Sequence, residues 1–452
     1  MSDNLQGAEL LQFLQESSVE EIMAALKDIH PADILDALDD YTGDPIPFLS
    51  KLPIEILAEI IEEAEEEDKS EIFDLFSLDQ KKEIISEMAS DELVDLLENI
   101  DPEEVTDLID SLDAEDAQNV KDLMRYDSET AGAIMATEFV TVKDHMTVRE
   151  TLEYLQEYGE EAETLSYLYV LDENGVLKGV VSLKDIVIHK FTDAIAPLIN
   201  ASVISVKAGL DQEEVAQTIQ KYGFTSIPVV DEQNKMLGII TADDLLDVVV
   251  DESTEDFEKM AAIAHSEGDY LDTGVFALAR RRIFWLLFLM VSATFTSVII
   301  QNYESALASV VILTAFIPML MDTGGNAGSQ SATLIIRGMA LGEISIQDYF
   351  AVVFKEVRVS IIVGVVLAVV NFFRIWAFHH DIILALTVSL ALIFTIILAK
   401  TVGATLPIVA RKLKIDPAIM AAPVITTIVD ALSLIVYFKL ALVLYLPKGL
   451  PG

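Results

Sequence analysis

Two short stretches combine residue types able to handle a divalent cation inside an apolar setting. Asp430 lies mid-way along an apolar run, in Pro423-Val-Ile-Thr-Thr-Ile-Val-Asp430, with Thr426 one helical turn before it on the same face. An ionised carboxylate at membrane depth is costly and marks an ion or proton path; the alternative is a hydrogen-bond partner between helices. The second stretch is Asp322-Thr-Gly-Gly-Asn-Ala-Gly328, set in another apolar run. Its composition predicts an interruption of the helix, where freed carbonyls and the Asn326 amide oxygen would be hard ligands for hydrated Mg2+ or Ca2+. Close helix packing through Gly324, Gly325 and Gly328 is the alternative. Mg2+ dehydrates reluctantly, so one carboxylate per chain with carbonyls and Thr hydroxyls suits it, whereas Ca2+ asks for a denser cage.

A third group is acidic and lies outside the apolar runs. Asp251-Glu-Ser-Thr-Glu255-Asp256-Phe-Glu258 reads as helical, with its acids directed toward Asp243, Asp244 and Asp247. Such carboxylates repel by about 1 kcal/mol per close pair, and a divalent cation would cancel that repulsion. The plain alternative is a solvated surface.

These residues have to be positioned by two very different halves. The 452-residue chain has net charge -46, yet its mean hydropathy is +0.42. Residues 1–272 carry 67 acidic against 16 basic side chains; residues 273–452 carry 8 against 13. An acidic soluble half thus precedes a membrane half, and the acidic half would repel nucleic-acid phosphates. The absence of cysteine excludes disulfides, Cys-ligated zinc and thiol catalysis. The first 30 residues lack an apolar core behind a basic start, so no cleavable signal peptide is expected and the N-terminus should stay in the cytosol.

Five apolar stretches, near 283–302, 306–336, 357–378, 382–410 and 417–446, are each long enough to span roughly 30 Å of hydrocarbon. Arg280, Arg281, Arg282, Arg337, Lys355, Arg358, Arg411, Lys412 and Lys414 fall on one side of them. Only Arg374, Lys439 and Lys448 lie near the other. The basic side faces the cytoplasm, so the chain is expected in the plasma (inner) membrane with its N-terminal half cytosolic and its C-terminus outside. An odd number of spans rules out a simple inverted repeat, and a pore shared between two copies would supply symmetry. Lys400 is expected to snorkel or pair with a carbonyl and is given no role.

In the soluble half, residues 1–130 read as short amphipathic helices in a small solenoid, with Asp79, Asp91, Asp101 and Asp113 as N-cap candidates. Residues 131–250 hold a repeat at an offset of 59. Tyr169-Val-Leu-Asp172 through Gly179-Val-Val-Ser182-Leu-Lys-Asp185 recurs as Pro228-Val-Val-Asp231 through Gly238-Ile-Ile-Thr241-Ala-Asp-Asp244. Each copy reads as two strands around an Asp/Asn/Gly turn, then a Ser/Thr three residues before an Asp that opens a helix. This is similar to a tandem pair of CBS modules. The resemblance implies adenine-nucleotide binding between the repeats, through the Ser/Thr and Asp of that signature; a purely structural, dimerising pair is the alternative.

The whole chain, in this order of parts, resembles the MgtE family of magnesium channels or transporters. Three motifs carry the resemblance: Tyr126-Asp-Ser-Glu-Thr-Ala-Gly132-Ala-Ile-Met135; Pro318 through Gly324-Gly325-Asn326-x-Gly328-x-Gln330-Ser331 to Arg337; and Asp416-Pro-Ala with Thr426-Thr427-x-x-Asp430. It implies an all-α superhelical N domain (1–130), an α/β CBS pair (131–250), a linking plug helix (251–280) and a five-helix pore domain (281–452). The assembly implied is a homodimer with its pore lined by spans two and five. Asp430 would bind hydrated Mg2+ in the pore, completed by Thr426, Thr427, Gly325, Asn326 and Gly328. High cytosolic Mg2+ would close it through Asp211, Glu213, Asp244, Asp247, Glu252, Glu255, Asp256 and Asp416. ATP at the CBS pair would involve Asp185, Phe224, Thr241 and Asp243. Two positions depart from the family pattern: Gly223, where some relatives carry an acid, and Ala422, near the pore end of span five.

The function expected is therefore Mg2+ uptake through a channel closed by cytosolic Mg2+. A proton- or sodium-coupled Mg2+ transporter is one alternative, and a membrane-anchored nucleotide-sensing regulator is another. No phosphate loop, triad or His/Cys metal motif points to an enzyme, and the six His residues are scattered.

Overall fold

Short helices follow one another through the first quarter of the chain because each apolar run is brief and ends at a residue that stops one helix or caps the next. The computed structural model describes residues 7–26, 29–39, 41, 43–64, 66–160, 162–264, 270, 273–303 and 310–445. It falls into two units, Met1–Val250 and Asp251–Gly452. The N domain contains α1 (Gly7–Glu16), α2 (Val19–Ala25), α3 (Pro31–Asp39), α4 (Ile46–Leu49), α5 (Ile54–Glu62), α6 (Glu66–Asp74), α7 (Leu78–Ile84), α8 (Ser90–Glu98), α9 (Pro102–Ile109) and α10 (Asp116–Leu123). Asp101 caps α9 as expected, accepting the Glu103 N–H at 2.9 Å. The other three aspartates do not cap. Ser77 already holds the extended backbone before α7 and leaves Asp79 in its first turn. Ala89 does the same before α8, so Asp91 is buried within that helix. Asp113, two residues before the N-cap position held by Glu115, accepts the N–H groups of Glu115 and of Asp116, the first residue of α10 (2.8 and 3.0 Å).

The repeat folds twice into a three-stranded mixed sheet. In the first copy β1 (Phe139–Val142) runs parallel to β2 (Thr164–Leu171), and β2 antiparallel to β3 (Leu177–Ser182); α11 (Val148–Tyr158) and α12 (Leu183–Ile188) accompany them. In the second, β4 (Val206–Lys207), β5 (Ser226–Val230) and β6 (Met236–Thr241) repeat the pattern with α13 (Gln212–Tyr222) and α14 (Asp244–Met260). The same side-chain chemistry recurs at the 59-residue offset. Asp172 Oδ1 accepts the N–H groups of Asn174 and Val176; Asp231 Oδ1 accepts those of Gln233 and Lys235. The Ser182 hydroxyl donates to Asp185 and the Thr241 hydroxyl to Asp244.

The repeats also exchange their entry segments. Ala136, ahead of the first repeat, pairs with Ile239 on β6 of the second, and Asn200, ahead of the second, pairs with Val180 on β3 of the first. This explains the signature glycines. A Cβ on Gly238 would sit 2.5 Å from the Ala136 carbonyl, and one on Gly179 would sit 2.3 Å from Ile199 Cγ2. Where the hairpin tips meet, Val176 bridges to Lys235, its own repeat equivalent, so the pseudo-two-fold axis passes between them.

The linking helix differs from expectation in where it begins. It is not a separate element from 251 but the C-terminal part of α14, which runs unbroken from Asp244 because Leu245 and Val248 continue an apolar face. Beyond it lie α15 (Val275–Asn302), α16 (Ile317–Ala340), α17 (Tyr349–His379), α18 (Ile382–Lys412) and α19 (Ala422–Leu444). Among the described residues, four helical segments, Val275–Asn302, Ile346–His379, Ile382–Lys412 and Pro417–Leu444, are long and apolar enough to cross a membrane. The expected second span corresponds to α16, of 24 residues, preceded by a 3-10 turn at Val311–Phe316; its start at 306 lies outside the described residues.

The interruption expected at Asp322–Gly328 is absent: α16 is continuous α-helix through it. Each interior glycine costs about 1 kcal/mol of helix propensity, and close packing offsets that cost here. A Cβ on Gly324 would fall 2.8 Å from Thr395, one on Gly325 2.9 Å from Thr426, and one on Gly328 2.7 Å from Ile425. The glycines bring α18 and α19 against α16, in the manner of small-residue helix contacts in membranes.

Candidate ion path and cation-sensing residues

Because α16 is helical, its polar residues fall on one stripe. Asp322, Asn326 and Gln330 are four residues apart and exposed, with Thr333 and Arg337 continuing the line; Gly324, Gly325, Ala327, Gly328, Ser331 and Ala332 face inward. The Asn326 amide donates to Asp322 Oδ1 at 3.3 Å, so this pair is held along the stripe. On α19, Asp430 is partly buried and within electrostatic reach of Asp322. Thr426 and Thr427 both donate to the Pro423 carbonyl (3.0 Å), which leaves their oxygen lone pairs as acceptors. The expected pore residues therefore converge on the α16–α19 contact, with Gly325 and Gly328 as packing positions and no freed carbonyls.

The acids expected to sense a cation fall into three groups. Asp211 caps α13, accepting the Glu213 N–H at 2.9 Å, beside a bridge to Thr130 of the junction segment. In that junction Gly132 lies against the Tyr126 ring, where a Cβ would be 2.5 Å away. Gly223 ends α13 in the left-handed region at φ 66°, a conformation that favours glycine over a residue with a side chain.

Asp244 and Asp247 lie in the first turn of α14, and here the structure adds residues that the sequence did not mark as cation-sensing. Asp91 and Glu92 of α8, with Glu163, are their electrostatic neighbours. Burial, then Asp244, holds the Asp91 carboxyl well above the usual range, and burial likewise raises Asp244 and Glu92. Lys69 pairs with Glu92. Glu163, more than a third exposed as a residue, is pushed up to about 7 by loss of water around its carboxyl and by Asp244, Glu62 and Glu138. The third group is on the C-terminal part of α14. Lys259 Nζ bridges Glu255 (2.5 Å) and Asp416 (2.7 Å), while Asp416 also accepts the Ala418 N–H. Burial and then Asp416 push Asp256 up to about 6. Glu252 contributes to the same field. Among the described residues, no three His, Asp or Glu side chains converge as a ready-made metal centre. The donors are carboxylate oxygens, a set that fits a hard cation keeping most of its waters.

The raised acids predict a pH dependence in the absence of divalent cations. Glu163 titrates near 7 folded against 4.5 as reference, so the folded chain binds the extra proton and stability falls as pH rises from about 4.5 to 7. Glu21, Glu150 and Asp172 are shifted downward, and the stability they add is lost only below that window. In chelator, the unfolding midpoint of the full chain is expected to drop between pH 5 and 7.5, and Glu163→Gln to flatten the drop. A flat wild-type profile would contradict it.

For the expected nucleotide residues, the Tyr222 and Phe224 rings stack at 5.5 Å and 15°. Thr241 is buried and bonded to Asp244, Asp185 is bonded to Ser182, and Asp243 is exposed. One membrane residue set aside in the sequence is not idle. Lys400 neither snorkels nor pairs with a carbonyl; it is buried against Ser331 and Glu356. No spacing in the sequence joins these three residues, which come from three helices.

Comparison with known proteins places these parts. A divalent cation transporter family, MgtE, matches residues 317–440; the MgtE intracellular N domain matches 29–129; and CBS domains match 131–190 and 195–251. The magnesium transporter MgtE of Thermus thermophilus is 36% identical over 436 residues, covering 96% of this chain and 97% of that protein. The Bacillus subtilis magnesium transporter MgtE is 38% identical over 71% of each. A crystal structure of the soluble part of a magnesium transporter superposes with TM-score 0.52 at 34% identity, covering 54% of this chain and 97% of that one.

Proposed function

Because this chain belongs to the MgtE family of magnesium transporters, we propose that it is a homodimeric Mg2+ channel of five spans per copy, closed by cytosolic Mg2+. The observation that carries this reading is the polar stripe of α16. Asp322, Asn326 and Gln330 lie on the outer face of a helix packed among apolar spans, and hydrocarbon cannot solvate them. A second copy related by two-fold symmetry encloses that stripe in a water-filled path. Hydrated Mg2+ then meets Asp430, Thr426, Thr427 and Asn326 as outer-sphere acceptors, with Gly325 and Gly328 setting how closely the helices approach. The N-terminal half lies in the cytosol and the C-terminus outside.

Closure follows from the crowded carboxylates. Burial and neighbouring carboxylates hold Asp91, Asp244 and Asp256 above the usual range, and cytosolic Mg2+ held by Asp211, Glu213, Asp244, Asp247, Glu252, Glu255, Asp256 and Asp416 relieves that crowding. Adenine nucleotide stacking on Phe224, with Thr241, Asp243 and Asp185 nearby, tunes the same cytosolic unit. Neutralising Asp247, Glu255 and Asp256 together is expected to leave the channel open when internal Mg2+ is high; unchanged closure would reduce these acids to a solvated surface.

Patch-clamp recording with Mg2+ stepped on the cytosolic face tests the whole reading. Large Mg2+ currents that shut as cytosolic Mg2+ rises support it. No current, with liposome flux that follows a proton or sodium gradient, would make Asp430 a coupling site in a transporter.

A further inference from the structure

On the side of α16 away from the polar stripe, three helices meet through a closed polar network. Glu356 of α17, Lys400 of α18 and Ser331 of α16 are 9%, 5% and 0% exposed. The Ser331 hydroxyl donates to Glu356 Oε2 at 2.6 Å and accepts from Lys400 Nζ at 3.2 Å; the charged groups themselves are 3.7 Å apart. The serine is therefore the hinge-pin of an ion pair whose partners stand on either side of it. Replacing such a pair by apolar residues of similar volume is often neutral or stabilising, so its presence is explained by specificity better than by stability.

Geometry supplies the specificity. Ser331 follows Gln330 by one residue, so the two side chains are about 100° apart around the helix. Anchoring Ser331 fixes the rotation of α16, and with it the direction of Gln330, Asn326 and Asp322. The same level holds the tightest backbone approach, where a Cβ on Gly403 would lie 2.2 Å from the Gly328 carbonyl and 3.2 Å from Ser331 Cβ. Apolar packing at the α16 glycines is non-directional, and the polar network adds the directional anchor on this face of the helix.

We propose that Glu356 and Lys400, acting through Ser331, are positioning residues for the ion path: they clamp the rotation of α16 and so set how sharply the path separates Mg2+ from Ca2+. This rests on the channel reading above, and the experiment separates the two. Single removal of either charge leaves the other buried and uncompensated, so the informative variants are Ser331→Ala, which keeps the ion pair, and Glu356→Met with Lys400→Met, which keeps volume and removes both charges. Each is reconstituted as the full chain, with unfolding midpoint, Mg2+ flux and the Mg2+/Ca2+ flux ratio measured side by side. The midpoint is expected to stay near wild type while the flux ratio falls about tenfold, as small displacements of positioned groups do. Exchanging the charges (Glu356→Lys with Lys400→Glu) is expected to restore most of the ratio, because the serine can again bridge them. A wild-type ratio in folded Ser331→Ala overturns the proposal, even if the double variant fails to fold. A wild-type chain that moves no Mg2+ overturns the channel reading instead.

Discussion

Asp430→Asn is expected to abolish Mg2+ conduction while the chain keeps its fold. The amide is nearly isosteric with the carboxylate, and the site is only partly buried, so packing within α19 and against α16 is preserved. What the variant removes is the fixed negative charge proposed to lie on the path. At about 4 Å and a surface-like dielectric, two unit charges attract by about 4 kcal/mol, and a divalent ion doubles that before its dehydration cost is subtracted. If even a third of the attraction survives, roughly 2.7 kcal/mol is lost, which corresponds to about 100-fold in occupancy. Currents in planar bilayers, normalised to folded protein, measure it. A variant conducting within twofold of wild type would remove Asp430 from the path.

The second large effect concerns shape. Gly403→Ala places a methyl group 2.2 Å from the Gly328 carbonyl oxygen and 3.0 Å from its carbon. Both neighbours are backbone in continuous helices and cannot rotate aside as a side chain would, so α16 and α18 must separate. Overpacking of this kind costs about 1–3 kcal/mol. It also displaces the stripe bearing Asn326 and Gln330, so uptake is expected to fall with stability. Gly209→Ala is the control, since nothing lies within 4 Å of its Cβ position. Thermal unfolding in detergent and Mg2+ uptake by proteoliposomes compare the two; equal midpoints would mean that the helices are not in the contact described.

Local chemistry was legible in the sequence wherever it repeats or is confined to one segment. The 59-residue offset foretold paired turns at Asp172 and Asp231 and a paired Ser/Thr-to-Asp contact at Ser182/Asp185 and Thr241/Asp244, and each is formed. The apolar runs foretold five spans, and among the described residues four helical segments are long and apolar enough to cross a membrane. The misreading at Asp322–Gly328 has a physical reason: glycine weakens an isolated helix, but Thr395, Ile425 and Thr426 come from sequence 70 to 100 residues away and hold this one straight. Asp91 was misread similarly, because an acid at a helix start looks like a cap until tertiary burial is known. The site was half legible. Asp430, Thr426 and Asn326 stand out by being polar in apolar runs, whereas Lys259 and the Glu356–Lys400 pair derive their meaning from partners on other helices.

The reciprocal exchange of entry segments bears on how this chain can be taken apart. Cut between the repeats, near residue 195, and each fragment carries the segment that covers the other fragment's sheet edge: Ala136 leaves Ile239 bare, and Asn200 leaves Val180 bare. An uncovered strand edge recruits another chain. Separately expressed repeats should therefore be poorly soluble alone and become soluble on mixing, each completing the other's sheet. Dissection, circular permutation or transplantation of this region succeeds only when both entry segments travel together.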